Sequence, residues 1–128
     1  MEKRQCQRFN APGTTLYYKM KRGVFHKEKY SEDYFPVLDI SRGGLRFLTN
    51  DRIKVGLPVQ IRLTIPGVDF QPEIKAIVRW ISKNREESYR YQTGVSFNAY
   101  GDRKKENPLE ILAFIESLET EHGPLEQI

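Results

Sequence analysis

The chain holds to a two-residue alternation of apolar and polar side chains for most of its length, then switches once to a helical period near its end. Val59-Gln60-Ile61-Arg62-Leu63-Thr64-Ile65 is the cleanest instance: every second residue is aliphatic, as a strand with one buried face requires. Ile74–Ile81 is the longest strand segment and is rich in β-branched residues. Thr14–Met20, Phe35–Ile40 and Leu45–Leu48 have strand composition, and Tyr89–Phe97 adds one more, interrupted by Gly94 at a bulge or a close backbone approach. Turn residues separate them, notably Ser41-Arg42-Gly43-Gly44 and Pro66-Gly67. The paired glycines are read as supplying backbone conformations that other residues avoid. From residue 107 the period changes. Asn107 is placed to cap a helix, Pro108 suits its first position, and Glu110 completes a capping box. Leu109, Leu112, Ile115 and Leu118 form its apolar stripe, widened by Ile111 and Phe114, and Gly123-Pro124 stops it. About six short antiparallel strands followed by one helix favour an all-β core, a small barrel or sandwich, with the helix packed on it.

At 128 residues the chain is one domain's worth. No run approaches the roughly 20 apolar residues of a membrane span, and no apolar stretch follows the basic N-terminus as a secretory signal would. A single cysteine, Cys6, excludes an internal disulfide framework and a multi-cysteine metal site. These features lead us to expect a cytoplasmic protein. Charge is unevenly spread: residues 1–30 carry a net +6, residues 31–105 a net +4 and residues 106–128 a net −6. A basic front end suits an anionic partner, while the acidic end argues against a nonspecific nucleic-acid coat. Residues 1–13 read as an arm, and Lys21–Asp33 as a charged insert. Trp80 is expected in the core, with Arg79 on the opposite face. Phe9 is expected to anchor the arm or to begin the core. Cys6 reads as a bystander, and His122 as a residue of the last helical turn.

Two motifs stand out. Arg4-Gln5-Cys6-Gln7-Arg8 is an RxxxR, and Asp39-Ile40-Ser41-Arg42-Gly43-Gly44 is a DxSxxG at a strand-to-turn junction. Together, in this order, and followed by Gly44-Leu45-Arg46-Phe47-Leu48, Ala76-Ile77-Val78-Arg79-Trp80 and Gly94-Val95-Ser96-Phe97, they resemble the PilZ domain, a bacterial receptor module for cyclic di-GMP. The resemblance spans roughly residues 3–120. It implies a six-stranded antiparallel β-barrel with a C-terminal α-helix: arm 1–13, barrel 14–106 and helix 107–122, all one domain. It also implies cyclic di-GMP as ligand, no other cofactor and no metal, an unidentified protein effector as partner, and an output in motility or exopolysaccharide regulation.

The residue chemistry suits that ligand, a compact dianion with two guanines. Arginine offers a planar fork for phosphate, paired donors for a guanine edge and a flat cation for stacking. Arg4 and Arg8 would clamp the ligand from the arm, with Lys3 and Arg42 as possible additional contacts. Asp39 supplies an acceptor for the N–H groups of guanine, Ser41 a hydroxyl, and Gly43 and Gly44 close backbone approach. Ordering an arm costs about 1–2 kcal/mol per residue, and charged hydrogen bonds return about 1.5–3 kcal/mol each. The balance is close enough for a switch, in which the arm reorders on binding and the signal passes to a separate partner. Three alternatives compete. An enzyme is disfavoured because His26, His122 and Cys6 suggest no nucleophile–base pair and no P-loop is present. A basic barrel binding RNA or single strands would use Tyr89, Arg90 and Tyr91, and nucleic acid is the weaker reading. A PilZ-like adaptor that binds no ligand is the third possibility.

Overall fold

The computed structural model describes residues 7–20, 29–85 and 88–123. Six strands form: β1 (Thr15–Met20), β2 (Phe35–Ser41), β3 (Gly44–Thr49), β4 (Pro58–Thr64), β5 (Glu73–Lys83) and β6 (Tyr91–Phe97). They close into an antiparallel barrel in the order β1-β2-β3-β6-β5-β4. Closure gives every strand a neighbour on each side. One helix, α1 (Leu109–His122), follows.

The alternation does what it promised. In β4, Val59, Ile61 and Leu63 are buried while Gln60, Arg62 and Thr64 are not. They meet Leu16, Ile40, Leu45, Phe47, Ile74 and Val95 in one core, which α1 completes through Ile111, Ile115 and Leu118. The insert is only partly described: residues 21–28 lie outside. Its last residues run back along β1, where Ser31 donates its N–H to the Tyr18 carbonyl at 2.8 Å.

Three local readings need correction. Asn107 does not cap α1. Its side chain is fully buried and clips β5 instead: Oδ1 accepts from the Lys75 N–H at 2.8 Å, and Nδ2 donates to the Lys75 and Asn98 carbonyls at 3.0 and 3.1 Å. Pro108 occupies the N-cap with an extended backbone (φ −60°, ψ 149°) and no side-chain cap bond. The buried stripe is therefore Ile111, Ile115 and Leu118, and Leu109 is exposed.

Trp80 is not in the core. It is 37% exposed, because the β5–β6 register shifts between Val78 and Trp80. The bulge breaks the inward phase of Ile74, Ala76 and Val78, and places both Arg79 and Trp80 outside. Gly94 lies opposite, and a Cβ there would sit 2.3 Å from the Trp80 indole. The close approach expected at Gly94 is real; the bulge belongs to β5.

Gly43 and Gly44 do not use a left-handed backbone, since neither has a positive φ. Gly44 is required for another reason. A Cβ there would lie 2.1 Å from the Val95 carbonyl oxygen on β6. The glycine lets two strands of the barrel close.

Candidate functional site

The site is built on the β2–β3 hairpin. Ser41 pairs with Gly44, so Arg42-Gly43 is a two-residue turn, and counting back sets Asp39 directly opposite Arg46. Inside the turn, Ser41 Oγ accepts from the Gly43 N–H at 3.2 Å and lies 3.4 Å from the Gly44 carbonyl. That contact fixes the turn shape, as short hydroxyl side chains do. β6 closes on the same hairpin through the Phe97 N–H, which donates to the Gly43 carbonyl at 2.8 Å.

The arm reaches the hairpin at Phe9. Its ring is fully buried, and its backbone exchanges two hydrogen bonds with Ile40, at 2.8 and 3.0 Å. Phe9 is thus both anchor and core. Because Ile40 follows Asp39, this bridge delivers Arg8 to Asp39: Arg8 Nη1 lies 3.8 Å from Asp39 Oδ2. Lys3, Arg4 and Cys6 lie outside the described residues, as does His26.

Asp39 is only 3% exposed. A buried carboxylate needs cationic partners, and Arg46 provides them: Nη2 donates to Oδ2 at 2.6 Å and Nε to the same oxygen at 3.0 Å. Its third nitrogen, Nη1, donates to Gln92 Oε1 at 3.3 Å.

These groups open onto one pocket of about 220 Å³, lined by Arg8, Asp39, Ser41, Gly43, Gly44 and Arg46, with Arg79, Trp80 and Ser96 on its far wall. Three guanidiniums and one carboxylate therefore face a single hollow, with an indole beside them. Arg79 is steadied by Nε donating to Ser96 Oγ at 2.7 Å. Such a lining can take an anion, a planar ring and a hydrogen-bond donor together.

The hollow brings together five residues singled out in the sequence: Arg8, Asp39, Ser41, Gly43 and Gly44. Arg42 turns elsewhere. Its Nε meets Glu119 Oε1 at 3.0 Å and its Nη1 meets Glu116 Oε2 at 3.6 Å, both on α1, while its carbonyl accepts from the Tyr100 hydroxyl at 2.5 Å. Arg46 and Arg79 escaped the sequence reading as site residues, and Trp80, for which ligand stacking is the minority reading there, is assigned by it to the core. A two-residue turn at Arg42-Gly43 implies the Asp39–Arg46 pairing by simple counting, so that signal was present. The β5 bulge left no comparable trace. Tyr89, considered for a nucleic-acid face, packs edge-on against Phe35 with ring centroids 6.3 Å apart. Among the described residues, no group of three or more His, Cys, Asp or Glu is placed to hold a metal ion, and no helix is long and apolar enough to cross a membrane.

Comparison with known proteins agrees with this fold. The PilZ domain family model matches residues 2–114. Three solved structures share the fold. The inhibitor of motility MotI/DgrA of Bacillus subtilis has a TM-score of 0.62 at 16% identity, covering 94% of this chain and 51% of that one. The K. pneumonia MrkH–c-di-GMP complex has a TM-score of 0.66 at 16% identity, covering 94% and 52%. The PilZ domain of Escherichia coli YcgR with c-di-GMP has a TM-score of 0.61 at 20% identity, covering 94% of each. The chain thus spans about half the length of the first two. No curated protein matches it significantly by sequence. With the barrel, the helix and a family match over most of its length, the chain belongs to the PilZ domain family.

Proposed function

We propose that this chain is a receptor for cyclic di-GMP that binds through Arg4 and Arg8 of the arm and Asp39, Ser41, Gly43 and Gly44 of the hairpin. The observation that carries the reading is the convergence of Arg8, Asp39, Arg46, Arg79 and Trp80 on one hollow. Arg8 and Arg79 suit phosphates and guanine edges, Asp39, held by Arg46, suits the guanine N–H groups, and the half-exposed indole suits a base face. The hollow is small, so the ligand lies across its mouth with the arm over it. Two of the similar structures, MrkH and the PilZ domain of YcgR, are complexes with c-di-GMP, which supports the same ligand here.

The reading is of a binder rather than an enzyme, supported by a lining that, among the described residues, offers cations, an acceptor and an aromatic face and no histidine or thiol to act as base or nucleophile. The signal then passes to a separate protein as the arm reorders. Phe9 sets the boundary of that motion. Its bonds to Ile40 hold it to β2, so the reordering segment is the part before it, with Arg4.

Isothermal titration with cyclic di-GMP, GTP and cyclic di-AMP tests the reading on wild type and Arg8→Ala. Saturable, guanine-selective binding that Arg8→Ala abolishes is expected. No binding by folded protein refutes it and leaves the adaptor. Amide exchange tests the relay: residues 2–8 slow on binding while Phe9 is protected throughout. Equal rates with and without ligand refute an arm switch.

A further inference from the structure

Among the described residues, every contact to the buried Asp39 carboxylate falls on one oxygen. Arg46 Nη2 at 2.6 Å, Arg46 Nε at 3.0 Å and Arg8 Nη1 at 3.8 Å all meet Oδ2. Oδ1 has no partner among the described residues and is left to accept. Arg46 is itself held from behind. Its Nη1 donates to Gln92 Oε1 at 3.3 Å, Gln92 Nε2 to Asn84 Oδ1 at 3.3 Å, and Asn84 Nδ2 to the Tyr89 carbonyl at 2.9 Å. The guanidinium is therefore a fixed fork and not a floating counter-ion. A lysine could supply the charge but not the two-point hold.

We infer that Arg46 is a positioning residue that sets base selectivity: it clamps Asp39 by Oδ2 and presents Oδ1 as a rigid acceptor that takes a guanine edge and rejects an adenine edge. This rests on the cyclic di-GMP reading. Guanine shows two adjacent donors, N1–H and N2–H₂, whereas adenine shows one donor, N6–H₂, beside the N1 lone pair. A carboxylate that cannot turn meets that lone pair as a repulsive neighbour. A carboxylate released from its clamp can turn away, and the penalty on adenine falls. Selectivity then comes from an unfavourable contact as much as a favourable one.

The test uses the full chain and titrates cyclic di-GMP and cyclic di-AMP into wild type, Arg46→Met, Arg46→Lys and Gln92→Leu. Arg46→Met is expected to lose about tenfold to hundredfold in cyclic di-GMP affinity, the worth of a charged hydrogen bond or two. Cyclic di-AMP binding becomes measurable or tightens in the same protein. Arg46→Lys keeps the charge and shows the same change of preference. Gln92→Leu, which loosens the fork from behind and leaves Arg46 in place, shows it more weakly. If Arg46→Met does not fold, the other two variants decide. Cyclic di-AMP binding in Arg46→Lys and Gln92→Leu that is no better than in wild type overturns the inference, because a merely structural arginine weakens both ligands alike. Folded wild type that binds cyclic di-GMP and cyclic di-AMP equally also overturns it. Folded wild type that binds neither refutes the receptor reading itself, and this inference with it.

Discussion

Gly44 closes the DxSxxG motif, and the barrel gives it a task that needs no ligand. In Gly44→Ala the new Cβ would lie 2.1 Å from the Val95 carbonyl oxygen and 3.2 Å from the Ser96 Cα. Both obstacles are backbone, so no side chain can swing aside; β3 and β6 must part by an ångström or more. Overpacking of this kind costs about 1–3 kcal/mol. The displaced seam also holds the Gly44–Ser96 pair and the 2.8 Å bond from the Phe97 N–H to the Gly43 carbonyl. Weakening one such bond adds about 1 kcal/mol. The expected loss is about 2–4 kcal/mol, a fall in Tm of roughly 10 °C for a domain of this size. Urea unfolding followed by fluorescence measures it, and the single tryptophan makes the signal unambiguous. A Gly44→Ala protein with wild-type midpoint and slope, but without ligand binding, refutes the reasoning. The glycine would then serve the ligand and not the seam.

Three further outcomes follow from the same geometry. Gly94→Ala places a Cβ 2.3 Å from the Trp80 indole, a half-exposed side chain that can move; stability falls by less than in Gly44→Ala, about 1–2 kcal/mol, and the emission maximum shifts to the red as the ring swings into water. Asn107→Ala strands the Lys75 N–H and takes a donor from the Asn98 carbonyl, while the Lys75 carbonyl keeps the Asn98 N–H at 2.9 Å; the expected cost is about 2–4 kcal/mol in urea unfolding, whereas a cap removed from α1 alone costs about 1 kcal/mol. Burial first, and then the 2.6 Å hydrogen bond to Asp51, push the Tyr18 hydroxyl well above the ordinary 10.0. The unfolded chain therefore loses this proton before the folded one, so stability is fully present below pH 10 and falls as pH rises beyond it. Tyr18→Phe flattens that alkaline slope, and an unchanged slope would show that Tyr18 does not set it.

The fold was legible because alternation is a direct consequence of strand geometry: Val59, Ile61 and Leu63 had only one way to share a face. The site was legible where chemistry is local. Asp39, Ser41 and Gly44 lie within one hairpin turn, and Arg8 is carried to them by the adjacent Phe9. What stayed hidden depends on residues far apart in the chain. Trp80 leaves the core only because β5 gains a residue against β6 and Gly94 makes room for the ring. Alternation carried through the bulge assigns Trp80 the wrong face. Asn107 has the composition of a helix cap, yet the Lys75 backbone 32 residues away outbids that local role.

The same distinction separates the two halves of the motif. Asp39 faces the hollow and, among the described residues, has an oxygen to spare, so on the proposed receptor reading its loss is felt by the ligand. Gly44 is occupied by β6 on its other side, so its loss is felt first by the barrel. Arg42, between them in sequence, is drawn to Glu116 and Glu119, while the ring of His122 lies stacked 6.3 Å from Phe9. The last two turns of α1 thus touch the hairpin turn through one residue and the arm through another. Any movement of Arg8 that pulls on Phe9, or of the turn that pulls on Arg42, is resisted by the same helix end.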